Sequence, residues 1–327
     1  MFQLLLAVVV SGASMDAPVP LQTIGGFQRF PWCVAFSPDG KYLASGGPDR
    51  VVRVTAVETG KEVVSFDKLD GTVMSVSFSP DGKDFLAAVL GAEVKVWDVA
   101  IWKERFTINS PGGIARDALF SKDSLWICTT WSPAGEQVGG IAVWSNNSGA
   151  RWSLLETKDA PLVEHLALAD DGKLAVAVGG IGQVLVWDLE KKQLLRKWRS
   201  IEDSRSVFTN IALTGDGRTL LILSKKPSAS LWSTSTGELV SALDTKLKSP
   251  LCARYSPDGK LLVIAGEDGS LEFWSTDKPS RMGQVKVHSG AIRCLTFSAD
   301  GKLLATGSDD KSVKVWELLK LMPNVGR

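Results

Sequence analysis

The sequence predicts an all-β fold built from seven consecutive copies of one four-stranded unit, because two independent markers recur in register along the chain. The first marker is a tight turn, SPDG or a decayed form of it, that begins at Ser37, Ser79, Ser121, Ala169, Thr214, Ser256 and Ser298. The second is an apolar, β-branched run that ends at Trp97, Trp144, Trp187, Trp232, Trp274 and Trp316, with Thr55 in the equivalent place of the first repeat. It follows the turn by 18 residues in six repeats and by 23 in the third.

Each repeat contains the residues of four short strands. Pro or Ala at the second position of the turn and Gly at the fourth suit a type I turn followed by a residue with positive φ. Strands such as VLVWD are apolar on both faces, so each sheet must be covered on both sides. Stacking the sheets as blades around one axis does this without long exposed edges, which predicts a single seven-bladed β-propeller over residues 15–327. We expect blades to start near residues 27, 69, 111, 159, 204, 246 and 288.

The two markers together resemble those of the WD40 repeat family over about residues 20–318. The resemblance implies four-stranded WD40-type blades and a ring in which the first strand of the chain completes the last blade. The seventh repeat runs out after Trp316 and Glu317, before a fourth strand has formed. We therefore expect residues 21–26 to supply the missing strand of blade seven.

The resemblance also implies a structural tetrad of His, Ser or Thr, Asp and Trp joined by hydrogen bonds. The seventh repeat carries the full set, His288, Thr306, Asp310 and Trp316. The first repeat has Phe27 in place of the His, and the middle repeats lack most polar members. Although a His beside an Asp and a Thr resembles a hydrolase triad, the matched repeat positions assign this group to structure rather than catalysis.

No sequence motif for a cofactor, a metal or a catalytic nucleophile stands out. Besides His288 the chain has only His165, which alternates within a strand and is expected in the core or half-buried. The four cysteines, Cys33, Cys128, Cys252 and Cys294, form no CxxC pair, so we expect buried thiols. The sequence thus predicts neither an enzyme nor a cofactor. The alternative is a propeller enzyme or small-molecule binder that uses the central channel.

The charge balance argues against a nucleic-acid partner. Lysine and arginine number 37, aspartate and glutamate 36, and the net charge is +1. A basic stretch at residues 191–200 falls on an outer strand, where solvated lysines that protect a sheet edge are common. We expect a monomeric propeller without a transmembrane segment.

The N-terminus supports two interpretations. An apolar run from Phe2 to Val10 followed by small residues resembles a signal peptide ending near residue 14, which predicts export to a periplasm, envelope or secreted fraction. The run has no preceding Lys or Arg, and Met15 offers an alternative start. A chain that starts at Met15 would be cytoplasmic and favours a subunit of a multiprotein complex.

The leading functional prediction is a non-catalytic scaffold that binds a protein or peptide. In the WD40 family, partners bind the face that carries the loops before the first strand and between the second and third strands of each blade. Carried over to this chain, these positions predict an apolar patch flanked by arginines, comprising Phe30, Trp32, Pro48, Met74, Leu90, Arg116, Trp131 and Arg293. The alternative for Trp32 and Trp131 is packing between blades.

Overall fold

The computed structural model describes residues 18–91, 93–110, 115–133, 135–136, 138–158, 160, 162–179, 182–200, 208–224 and 229–322. The predicted signal peptide, the alternative start at Met15 and the predicted blade starts at 111, 159 and 204 lie outside these residues. The described chain forms seven four-stranded antiparallel sheets, which confirms the predicted all-β propeller.

The first strand of the chain, β1 (Gln22–Ile24), precedes the first blade. Blade 1 contains β2 (Cys33–Phe36), β3 (Tyr42–Gly46), β4 (Val52–Ala56) and β5 (Glu62–Phe66). Blade 2 contains β6 (Val73–Phe78), β7 (Asp84–Val89), β8 (Glu93–Asp98) and β9 (Lys103–Asn109). Blade 3 contains β10 (Ala118–Phe120), β11 (Trp126–Trp131), β12 (Val138–Ser145) and β13 (Arg151–Lys158).

The remaining blades follow the same plan. Blade 4 contains β14 (Val163–Leu168), β15 (Leu174–Gly179), β16 (Gln183–Asp188) and β17 (Gln193–Arg199). Blade 5 contains β18 (Phe208–Leu213), β19 (Thr219–Ser224), β20 (Ala229–Ser233) and β21 (Leu239–Ala242). Blade 6 contains β22 (Pro250–Tyr255), β23 (Leu261–Gly266), β24 (Ser270–Ser275) and β25 (Ser280–Lys286). Blade 7 contains β26 (Ile292–Phe297), β27 (Leu303–Ser308) and β28 (Val313–Glu317), and is followed by the short helix α1 (Leu318–Leu321).

Strand β1 closes the ring, as the sequence predicts. It pairs antiparallel with β28, and Ile24 lies opposite Val313. The backbone N–H of Leu21 extends the ladder by donating to the carbonyl of Val315 (2.7 Å). Because these residues come from opposite ends of the chain, blade 7 is complete only when both ends have folded.

The repeated turn is held by hydrogen bonds of its own side chains. In blade 1 the hydroxyl of Ser37 donates to the carboxylate of Asp39 (2.7 Å) and accepts from the N–H of Tyr42 (2.9 Å). Gly40, the fourth turn residue, has a φ of 71°, a conformation that glycine adopts without strain. The same hydroxyl–carboxylate pair recurs as Ser79–Asp81, Ser121–Asp123, Thr214–Asp216, Ser256–Asp258 and Ser298–Asp300.

The core lies between the blades rather than within them. The buried hydrophobic residues form seven clusters, and each cluster joins residues of two neighbouring blades. Trp97, Trp144, Trp187, Trp274 and Trp316 are buried in these clusters, and each removes on the order of 150–250 Å² from water. This packing explains why the strands are apolar on both faces. Within the described residues, no helix has the length and apolar character needed to cross a membrane.

Candidate interaction face and central channel

One face of the ring carries the start of every innermost strand. In blade 1 the N–H of Trp32, just before β2, donates to the carbonyl of Gly46 at the end of β3 (2.8 Å). The loop before the first strand and the loop between the second and third strands therefore meet at this end, here called the top face. The SPDG-type turns lie at the opposite end, the bottom face.

Three predicted site residues are in contact on the top face where blade 7 meets blade 1. Trp32 is 43% exposed, and its ring centroid lies 5.9 Å from that of Phe30. The guanidinium carbon of Arg293 lies 5.6 Å from the Phe30 ring centroid. Arg293 is fixed by two hydrogen bonds to the carboxylate of Asp309 (2.8 and 2.6 Å), which raise its pKa further. An exposed indole thus lies beside an oriented cation.

Pro48, Met74 and Leu90 border this cluster with different exposure. Pro48 and Met74 are half-buried, and Leu90 is 38% exposed. Gly47 keeps the loop of Pro48 against the segment of Phe30, because a Cβ at Gly47 would lie 2.6 Å from the Phe30 carbonyl oxygen. We call Phe30, Trp32, Pro48, Leu90 and Arg293 the top-face patch.

Trp131 does not belong to this surface, so its predicted place in the exposed patch is wrong. It ends β11 with 8% exposure and packs in the cluster between blades 2 and 3. Both faces of β11 are covered by neighbouring blades, and the indole of Trp131 packs on the side of blade 2. The alternative interpretation, packing between blades, applies to Trp131 and not to Trp32.

Arg116 lies across the channel mouth rather than in the patch. Its guanidinium forms an ion pair with Glu164 of blade 4 (3.5 Å), while its buried Nε has no hydrogen-bond partner among the described residues. Trp32, Met74, Arg116 and Arg293 all line a central cavity of about 510 Å³.

The channel brings together the titratable side chains of His165, Asp117 and Glu164, which sequence reasoning did not place in one site. Burial, reinforced by Arg254 and Arg116, lowers the pKa of His165 to about 4. Burial raises the pKa of Asp117 and that of Glu164. Glu164 and His165 lie on β14, the inner strand of blade 4, and Asp117 lies directly before β10, the inner strand of blade 3. The turn markers of these two repeats already define the positions of all three residues. Among the described residues, no group of His, Cys, Asp and Glu is arranged to hold a metal ion.

The predicted tetrad side chains form one continuous hydrogen-bonded chain. Nδ1 of His288 lies 2.8 Å from a carboxylate oxygen of Asp310, and Nε2 lies 2.8 Å from Oγ1 of Thr306. The indole N–H of Trp316 donates to the same Oγ1 (2.9 Å). Burial lowers the pKa of His288 despite the neighbouring Asp310. The group ties the loop before β26 to β27 and β28 of blade 7, and its side chains are not part of the channel lining.

Blade 6 replaces the tetrad with a buried carboxylate that the sequence did not reveal. Glu272 on β24 is 0% exposed. It accepts hydrogen bonds from the indole N–H of Trp274 (3.0 Å), the hydroxyl of Thr245 (2.6 Å) and the guanidinium of Arg281. Trp274 lies two residues after Glu272 on the same strand, whereas Thr245 lies in the loop before β22 and Arg281 lies on β25.

The cysteines and Asn146, the first residue of an Asn-Asn-Ser glycosylation motif, have structural roles. The four thiols are free and buried, as expected, and burial raises the pKa of Cys128 to about 12. Cys33, Cys252 and Cys294 each place Sγ 3.7–3.9 Å from a backbone carbonyl of the following blade. The amide of Asn146 is buried and donates to Asp84 (2.8 Å), so no glycan can be attached to it in the folded chain.

The geometry defines a seven-bladed β-propeller with an exposed aromatic patch on its top face. Four segments match the family model described as WD domain, G-beta repeat, at residues 18–55, 60–98, 237–275 and 280–317. The chain contains WD40 repeats and folds as a seven-bladed β-propeller. The matched segments cover β1–β8 and β21–β28, whereas blades 3 and 4 and most of blade 5 keep the four-stranded sheet with a diverged sequence.

One curated protein similar to this chain is the meiotic recombination protein rec14 of Schizosaccharomyces pombe (strain 972 / ATCC 24843). It is 30% identical over 130 residues, which cover 39% of this chain and 42% of the relative. The match therefore spans less than half of either protein. WD40 propellers generally act as non-catalytic platforms that bind protein partners.

Proposed function

We propose that this protein is a non-catalytic interaction platform that binds a protein or peptide through the top-face patch. The observation that carries the proposal is Trp32, a large aromatic side chain left 43% exposed beside Phe30. Tryptophan and arginine are the residue types that contribute most to binding at protein interfaces. Arg293 is already oriented by Asp309, so it loses little conformational freedom when a partner binds.

Replacing Trp32 tests the proposal in cells. The tagged full chain is purified from its host, and co-purifying proteins are quantified for the wild type and for Trp32→Ala. We expect the variant to weaken partner binding by about 2 kcal/mol or more, with an unchanged melting temperature. Retention of every partner by Trp32→Ala would contradict the proposal.

Two further variants separate binding from folding. Ile101→Ala removes an apolar side chain that is 63% exposed on the bottom face, and it should retain the partners. Trp131→Ala removes a buried indole, and it should lower the free energy of unfolding by about 3–5 kcal/mol. If Trp32→Ala destabilises as much as Trp131→Ala, Trp32 is a packing residue.

A second candidate function is binding of an anionic small molecule in the central channel. The supporting observation is Arg254, which lines the cavity, donates to the side-chain oxygen of Asn210 (3.0 Å) and forms no ion pair with the described carboxylates. Arg254→Ala should abolish such binding. If the anion binds the wild type and Arg254→Ala with equal affinity, this site is excluded.

Export through residues 1–14 also stays a proposal, supported by the apolar run and the small residues after it. The intact mass of the protein from its native host tests it, together with cell fractionation. A chain that starts near residue 14 in an exported fraction supports the signal peptide. A chain that starts at Met15 in the cytosol would exclude it and favour a subunit of an intracellular complex.

A further inference from the structure

A second cavity lies on the bottom face, between blades 3 and 4, far along the ring from the top-face patch. Its volume is about 360 Å³, and it is bordered by the β10–β11 turn of blade 3 and the β14–β15 turn of blade 4. At the preceding junction, Asn146 joins Asp84 and Ser124 joins Asp81 across the blades. At the junction of blades 3 and 4 the two turns are joined only loosely, by the ion pair of Lys122 and Asp170 (3.9 Å), and the cavity, here called the blade 3–4 groove, opens there.

Two tryptophans form one wall of the blade 3–4 groove. The ring centroids of Trp126 and Trp152 lie 4.7 Å apart with an interplanar angle of 34°. Trp152 is 40% exposed and lies on β13 at a register shift, between the paired residues Arg151 and Ser153. Val143 and Leu189 add apolar surface to the lining. The groove therefore offers aromatic ring faces together with apolar contacts.

A cation already lies on one of these rings. The ammonium nitrogen of Lys192 is 3.9 Å from the ring centroid of Trp152, the arrangement of a cation–π contact. Lys192 is the last residue of the β16–β17 turn, has a φ of 55°, and lies two residues after Glu190 in the groove's lining. The contact shows that the Trp152 face accepts an ammonium group.

The charges around the groove are mainly negative. The lining contains four carboxylates and two lysines, a net charge of −2: Asp123, Asp170, Asp171, Glu190, Lys122 and Lys173. The two lysines pair loosely with carboxylates on exposed positions, Lys122 with Asp170 (3.9 Å) and Lys173 with Glu190 (3.2 Å). The local field therefore favours a cationic ligand over a neutral or anionic one.

We propose that the blade 3–4 groove binds a trimethylammonium group, which replaces Lys192 on the face of Trp152. A trimethylammonium group is weakly hydrated, and its methyl groups contact aromatic rings, so it loses less hydration than a primary ammonium when it enters. A second primary ammonium gains nothing over the tethered Lys192. The proposal concerns the bottom face and is independent of partner binding on the top face.

The test compares choline with its neutral carbon isostere, 3,3-dimethyl-1-butanol, by calorimetric titration into the full chain. The two probes have the same shape and differ in charge. We expect choline to bind and the isostere not to bind. Equal affinities for both, or binding of neither by wild type and Lys192→Ala, would overturn the proposal.

Variants locate the binding site. Trp152→Leu should abolish choline binding, and Lys192→Ala should tighten it by about threefold or more, because the internal competitor is removed. Lys191→Ala is the matched control, since it removes the same charge from an exposed lysine that pairs with Asp188. Equal effects of the two lysine variants, or unchanged binding by folded Trp152→Leu, would contradict the proposal.

A final comparison distinguishes two sources of the group. N-acetyl trimethyllysine methylamide carries the same head on an amino-acid side chain. Tighter binding of this compound than of choline assigns the groove to a modified side chain of a partner. Tighter binding of choline assigns it to a small metabolite, and either result supports the trimethylammonium site.

Discussion

At the scale of single residues, aromatic side chains of this propeller differ in whether they are buried between blades or exposed on the surface. Trp32 and Trp131 both lie at the top face, yet one is exposed and the other is buried. The alternation of apolar residues could not tell the exposed tryptophan from the buried one. Both faces of each sheet are covered, so an apolar side chain on either face can be buried. The network of Glu272 was also hidden, because Thr245 lies 27 residues away and no repeat marker pairs Glu272 with Arg281 on the next strand.

Loss of Glu272 should destabilise blade 6. In Glu272→Ala, the indole N–H of Trp274 loses its acceptor and the cation of Arg281 loses its carboxylate. Breaking a buried ion pair in this way costs about 3–5 kcal/mol, measured as the free energy of unfolding in urea. Glu238→Ala, at an exposed position of blade 5, should change it by less than about 0.5 kcal/mol. Similar effects of both variants would show that the network contributes little.

His165 should make the fold sensitive to acid. Its pKa is about 4 in the folded chain and 6.5 in the unfolded chain, so between these values only the unfolded state binds the proton. Stability is therefore unaffected above pH 6.5 and falls as the pH falls towards 4.

His165→Asn removes this proton uptake and isolates it from the other channel groups. Asp117 and Glu164, whose pKa values burial raises, are present in both proteins and oppose the acid effect equally. We compare the free energy of unfolding of the variant with that of the wild type at pH 7.5 and at pH 4. Between these two pH values the difference should shift in favour of the variant by on the order of 2–3 kcal/mol. Parallel pH profiles of unfolding would contradict the assignment.

At the scale of elements, the sequence predicted what depends on local chemistry. The turns could be placed because Ser, Asp and Gly at fixed offsets hold them without help from the rest of the chain. The closure by β1 could be predicted because the seventh repeat lacks a fourth strand. The groove between blades 3 and 4 could not, since it depends on how two divergent sheets pack against each other.

The closure strand should stabilise the ring through one buried side chain. Ile24 packs with Phe27 and Val34 between blades 7 and 1, whereas Thr23 on the same strand is exposed. Ile24→Ala should lower the free energy of unfolding by about 2–4 kcal/mol, and Thr23→Ala by less than about 0.5 kcal/mol. Thermal and urea denaturation measure both, and equal losses would show that β1 acts through its backbone alone.

At the scale of the whole molecule, the ring separates three chemically different surfaces. The top-face patch carries the exposed indole and the oriented arginine, the channel carries the buried charges, and the bottom face carries the groove with its tryptophans. Seven interblade clusters hold these surfaces in a fixed relation. The fold therefore allows one face to bind a partner while the other stays accessible.

Site-specific photo-crosslinking tests partner binding at the top face most directly. The photoreactive amino acid p-benzoylphenylalanine replaces Trp32 in one tagged chain and Ile101, on the bottom face, in another, and both chains are irradiated in the native host. The account predicts a covalent adduct with a partner protein from position 32 and none of the same mass from position 101. An adduct from position 101 with none from position 32 would contradict it.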